Sequence, residues 1–244
     1  MPPGSSREEF RAWWASKRDA GHRYKTEEWF QRNAYELSCL FPHGGTLVDV
    51  GCGNAQLLAY LAPHYGEVIG VDCTPSMLEA AKTRLDSFGL KNVRLELGDA
   101  CELPRSITQA NVIVSNQVVQ NLDPEEVQLH LRECRRVLAV GGAVGMCGIP
   151  WINLRDVFLQ GLLAEPMPGR MRRLARRADP RRWPAAWRRM WRGGVMADGI
   201  GRWYGRKQIA DLAAAEGFAC ETVKAWYYEY RFHAKLRLTQ ESGV

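Results

Sequence analysis

The hydrophobic positions of this chain change period along its length, and the changes divide it into elements. Short apolar runs rich in Val and Ile occur at residues 46–50, 68–71, 93–97, 110–115 and after Gly142, separated by stretches with helix-like spacing. Strands alternating with helices predict an α/β domain whose parallel sheet is covered on both faces. Ahead of it, Ser6 with Glu9 three residues later reads as a capping box for a helix carrying Phe10, Trp13 and Trp14. Trp29, Phe30, Asn33 and Leu37 then predict a second helix over about 26–40. At the other end, residues 206–216 read as a helix closed by Gly217. The runs 220–228 and 230–238 lie too close together for a crossover helix, so they must pair as a hairpin.

Composition narrows the class. With 244 residues the chain can bury a sizeable core, and its 46% hydrophobic and 25% charged residues are ordinary globular usage. No apolar run approaches a membrane span and MPPGSSREEF lacks a signal-peptide core, so a cytoplasmic location is expected. Seven cysteines without a C-x-x-C pair predict neither a disulfide framework nor a metal site.

The sharpest motif is TLVDVGCGNAQLL at residues 46–58: a strand, an acid at Asp49, then a turn through Gly51, Gly53 and Ala55 that should lead into a helix. Small residues there let a polar ligand approach the backbone N–H groups. A dinucleotide fingerprint requires Gly or Ala at the sixth position from the first glycine, where this chain has Gln56. An acid two residues before Gly51 would repel a pyrophosphate but suits a ligand carrying ammonium and sulfonium charges. Asp72, 21 residues beyond Gly51, closes the second strand, and Gly98-Asp99-Ala100 follows the third. The fourth runs into SNQVVQNLDP, and RRVLAVGGAVGMCGI reads as a helix end, a Gly141-Gly142 turn and a fifth strand.

In this order and spacing, residues 45–150 resemble a class I S-adenosylmethionine (SAM)-dependent methyltransferase, with a looser match over 205–238. The resemblance implies a Rossmann-like, seven-stranded, mostly parallel sheet ending in an antiparallel hairpin. A helical cap (1–44), a SAM-binding core (45–150), an Arg/Trp-rich insertion (151–204) and a closing helix and hairpin (205–244) would make up the chain. SAM would lie against Asp49, Gly51, Cys52, Gly53, Asp72, Cys73, Met77, Asp99, Ala100, Asn116 and Gln117. Within that set Asp72 would hold the ribose hydroxyls, Asp99 the adenine amine, and the Ala100 amide would face the ring. Ala55 departs from the glycine common at the third small position. Cys52 and Cys73 read as space-filling rather than reactive residues.

The insertion carries the charge. Residues 170–192 hold ten arginines and one acid, and the rest of the chain is net negative although the whole is +6. Trp183, Trp187 and Trp191 recur every four residues among them. The segment reads as a docked tryptophan stripe with a solvated arginine face, a lid over an anionic substrate, or a peripheral contact with an acidic membrane surface. Nucleic acid is disfavoured: no appended RNA-binding module is visible, and SNQVVQNLDP lacks the Asn/Asp-Pro-Pro-aromatic sequence of base-amine methyltransferases. The runs RWY at 202–204 and WYYEYRFHAKLRL at 226–238 look similar to tails of methyltransferases of glycan and natural-product biosynthesis.

Methyl transfer is expected to go to oxygen on a small-molecule or glycan-type acceptor. The alternatives are N-methylation, nucleic-acid methylation and a SAM-binding regulator without turnover. A hydroxyl acceptor must lose a proton, which makes His22 with Tyr24 and His233 the candidate catalytic residues, ahead of His43, His64 and His130.

Overall fold

The computed structural model describes residues 26–159, 196–198, 201–226 and 228–239. The expected first helix, His22, Tyr24 and the arginine segment 170–192 lie outside these residues.

Helix α1 (Glu27–Leu40) starts where the Thr26 hydroxyl accepts the Trp29 N–H at 3.3 Å, with Glu27 and Glu28 complementing the positive end of the helix. A seven-stranded sheet follows, built from β1 (Thr46–Val50), β2 (Glu67–Asp72), β3 (Val93–Leu97), β4 (Ala110–Asn116), β5 (Leu138–Pro150), β8 (Phe218–Lys224) and β9 (Arg231–Leu238). Its order is β3-β2-β1-β4-β5-β9-β8, with β9 antiparallel to both neighbours and the other pairings parallel. Helices α2 (Leu58–Leu61), α3 (Pro75–Ser87), α4 (Pro124–Val137), α5 (Arg155–Leu159) and α6 (Arg206–Ala215) complete the layers, and β6 (Met196–Asp198) pairs with β7 (Gly201–Trp203) as a separate ribbon.

Strand alternation divides the core in two. Leu47, Val68, Val112 and Val114 share one cluster with Ala34 and Leu37 of α1, while Val48, Val50, Ile69 and Ile113 share the other with Leu131 of α4 and Ile209 of α6. The order reverses between β1 and β4, and in open parallel sheets that reversal opens a crevice at the carboxyl ends of the strands. Asp49, Asp72 and Asn116 all stand at or near those ends.

Two local expectations change. The helix after the glycine turn is only four residues long and passes into a 3-10 turn, Ala62–His64, where Pro63 cannot continue it. Gly141 and Gly142 do not separate α4 from β5, because the strand begins at Leu138, directly after Val137. The two glycines form an irregularity inside it, with Gly141 at φ +77° and a register shift opposite Ala110/Val112.

A buried polar contact ties α1 to the hairpin. Glu36 accepts hydrogen bonds from the Trp226 N–H and from His233 Nε2 (3.0 Å), while the Gly148 N–H donates to His233 Nδ1 at 3.2 Å. Glu36→Ala leaves the buried His233 and the part-buried Trp226 N–H without their acceptor, and we expect it to destabilise the fold by about 2 kcal/mol in chemical denaturation, on the scale for orphaned buried groups. A loss under 1 kcal/mol would show that the contact does not anchor the helix.

Candidate active site

The crevice at the strand reversal is a cavity of about 230 Å³, and all of the expected cofactor contacts, from Asp49 to Gln117, lie on its wall. The glycine turn is shaped from within. The Gly51 and Cys52 N–H groups both donate to the Val71 carbonyl (2.7 and 3.0 Å), and the Gly53 N–H donates to Asp72 Oδ2 at 2.9 Å. The expectation of bare N–H groups at a helix N-terminus is therefore corrected for these three residues. The turn presents space and carboxylates instead.

That space requires left-handed backbone. Gly51 (φ +74°), Gly53 (φ +54°) and Ala55 (φ +58°) all adopt it, which explains the glycine common at the third position. Ala55 carries a strain of about 1 kcal/mol there. A Cβ on Gly51 would stand 2.5 Å from Val118 Cγ2, on the opposite wall.

The acids differ in their environments. Asp49 is buried, its Oδ1 has no hydrogen-bond partner, and burial, with the Asp72 charge second, pushes its carboxyl up to about 8. Asp72 is also pushed up by burial, opposed by the N–H groups of Gly53 and Thr74, the latter donating to Oδ1 at 2.9 Å. Asp99 accepts the Cys101 N–H at 2.9 Å and so shapes the turn at Ala100. Cys52 is buried and its thiol is pushed up by burial, which disfavours the thiolate.

Of the candidate bases, His233 does not line the cavity. It is buried, with both ring nitrogens engaged by Gly148 and Glu36, and it braces α1 against the hairpin. His130 is a brace as well. One ring nitrogen pairs with the Ala100 carbonyl (2.8 Å) and the other with Ser115 Oγ (3.1 Å), while burial lowers its pKa and favours the neutral ring. His43 stacks on His64 away from the cavity. Within the RWY run, Trp203 and Tyr204 are fully buried, Tyr204 donating its hydroxyl to the Leu122 carbonyl, and only Arg202 reaches the wall.

Gln56, Thr74, Gln120 and Arg202 also line the cavity, beyond the residues expected from the sequence. Gln56 was legible: it is the residue that breaks the dinucleotide pattern, and its buried Oε1 has no partner. Trp29 stands edge-on to Tyr228, at 5.3 Å between ring centres, and Gln117 Nε2 reaches the Tyr228 hydroxyl at 3.5 Å. Gln117 is itself left-handed (φ +61°), a strained conformation for a non-glycine residue.

The residues present fit SAM on this geometry. The buried Asp49 carboxyl has an oxygen without a partner on the cavity wall, which suits a ligand bearing cationic groups, and the space beside Gly51 is one that a Cβ would fill.

Residues 47–142 match the family described as a methyltransferase domain. Solved structures agree in fold. The DhpI–SAH complex is 13% identical, covering 97% of this chain and 100% of its own at a TM-score of 0.63. An S-adenosylmethionine-dependent methyltransferase from Clostridium acetobutylicum ATCC 824 is 14% identical, covering 95% and 98% at 0.58. DesVI from Streptomyces venezuelae is 16% identical, covering 86% and 92% at 0.57. No curated protein matches the chain. The methyltransferase domain of residues 47–142 lies on the strands that build the cavity, in the fold shared with the SAM-dependent methyltransferases above, and SAM is the cofactor that its residues fit. Among the described residues no helix is long and apolar enough to cross a membrane.

Proposed function

We propose that this methyltransferase acts on a hydroxyl of a small-molecule or glycan-type acceptor held at the Trp29–Gln117–Gln120 end of the cavity. The observation that carries the reading is the division of the cavity wall. Asp49, Asp72 and Asp99 stand with the glycine turn on one part, and an aromatic and amide wall forms another. Trp29 backed by Tyr228 offers a ring edge and face for a sugar or aromatic acceptor, and Gln117 and Gln120 offer donors and acceptors beside it.

On the cofactor side, Asp72 is fixed on the cavity wall by the N–H groups of Gly53 and Thr74 and would accept the ribose hydroxyls there. Asp99 and the Ala100 amide would receive the adenine edge, and Cys73 and Met77 would pack against its apolar face. Asp49 would take the ammonium side, and Asn116 and Gln117 would border the reacting end. Bound SAM supplies a methyl group already activated as a sulfonium. The chain's task is then to align the nucleophile, keep water out and take up its proton.

The proton sets the second reading. The described residues on the cavity wall include carboxylates, cysteines and Arg202 but no histidine, which suits a neutral amine that needs no base. Radiolabelled SAM, incubated with sugars, phenols, their amine counterparts, and DNA and RNA oligonucleotides, separates these readings. Label on a hydroxyl acceptor is the expected result. Label on amines alone supports the second reading, and label on nucleic acid alone overturns both. SAM binding without any transfer identifies a regulator.

A further inference from the structure

Arg231 is a buried cation that meets no acid among the described residues. Its side chain opens β9 at 4% exposure, with its guanidinium 5.1 Å from the rings of both Tyr228 and Tyr230. Nη1 donates to Gln120 Oε1 (2.8 Å) and to the Gly148 carbonyl, whereas Nε is buried without a partner. Among the described residues no carboxylate pairs with it. A charge held by neutral oxygens alone is costly to bury, and an anion nearby would offset that cost.

A second cation shares the cavity wall with the same glutamine. The side chain of Arg202, half-buried on the cavity wall, makes no hydrogen bond or ion pair among the described residues. Its neighbour Gly201 (φ +119°) brings β7 against the 3-10 turn Val119–Asn121 so closely that a Cβ would lie 2.6 Å from the Gln120 carbonyl oxygen. The chemistry of arginine then orients Gln120. A guanidinium only donates, so the side-chain oxygen of Gln120 is turned to Arg231, and its NH₂ is left as the outward donor. Asp123 and Glu126, acids of the same wall, are joined to each other by a reciprocal helix cap (2.9 and 2.8 Å).

We propose that the acceptor end of the cavity is an oxyanion subsite, in which Arg202 and the Gln120 amide receive a carboxylate or phosphoryl group of the acceptor and Arg231 positions Gln120 from behind. This rests on the small-molecule reading above and narrows it to acidic acceptors. It does not involve the arginines of residues 170–192. Guanidinium forks and amide donors match both oxyanions.

The full chain saturated with SAH is titrated with benzoate, phenyl phosphate and benzyl alcohol. The oxyanions are expected to bind at least about tenfold more tightly than the alcohol, on the scale of one charge-assisted hydrogen bond, and the tighter of the two names the group. Arg202→Gln should remove about that factor for the oxyanions while SAH affinity stays unchanged, and Arg132→Gln on the exposed surface should change neither. Gln120→Glu places a carboxylate against Arg231, so it should raise the melting temperature and abolish the oxyanion preference. Equal affinity for alcohol and oxyanions, equal losses in the Arg202 and Arg132 variants, or a Gln120→Glu protein that keeps the preference overturns the subsite. Methylation of a neutral sugar or phenol that neither oxyanion inhibits also overturns it while leaving the small-molecule reading intact. If no small molecule is methylated at all, that reading fails, and the titration still judges the subsite.

Discussion

Gly51→Val is expected to weaken SAM binding at least a hundredfold, about 2.7 kcal/mol, and to abolish methyl transfer. Two effects combine. At φ +74° a β-branched residue is strained by about 1–2 kcal/mol. Its Cβ would also come within 2.5 Å of Val118, so the loop bearing Asn116, Gln117 and Gln120 must move away from the glycine turn. The movement deforms both walls of the cavity at once. Calorimetric titration with SAH reads the loss, and wild-type affinity in this variant would show that the turn does not touch the ligand.

Asp49→Asn should separate stability from binding. Burial, with Asp72 second, lifts the Asp49 carboxyl to about 8, so the empty folded protein holds this proton where the unfolded chain has released it. Its contribution to stability is therefore complete below the ordinary carboxylate range and falls as pH rises toward 8. Asparagine carries no such charge. The variant should be more stable at neutral pH by about 1 kcal/mol or more, roughly 2–4 °C in melting temperature for a chain of this size. It should also bind SAM about tenfold or more weakly, because an ammonium would lose a charged acceptor. In the wild type, affinity should climb from pH 6 toward 8 with proton release, until the ligand's own amino group, near 7.7–8.0 in reference compounds, begins to deprotonate. A destabilised variant with unchanged SAM affinity would contradict this role for Asp49.

The part of the cavity wall proposed to hold SAM was legible as a cluster because its residues are local in sequence. Asp49 stands two residues before Gly51, Asp72 closes the next strand and Asp99 follows the third. Each acid is placed by the end of a parallel strand, so strand order alone carries them to one edge. The part proposed for the acceptor was not legible, because it is assembled from distant segments. Arg202 reaches the wall from a short ribbon, and Gln120 is oriented by Arg231, 111 residues away in sequence. His233 illustrates the reverse error. A histidine amid aromatic residues resembles a base in one dimension, but β9 lies inside the sheet, between β5 and β8, and turns it to Glu36. Ala55 shows what a motif's letters conceal: the position demands a left-handed backbone, and alanine meets that demand under strain.

The most direct test of the account is a calorimetric titration of SAH into the wild type and into Asp72→Ala, with melting curves for both. The account predicts one-to-one binding to the wild type and an affinity lower by about 2 kcal/mol, roughly thirtyfold, in a variant that remains folded. No binding to the wild type, or equal binding to a folded Asp72→Ala protein, would contradict the placement of SAM in this cavity.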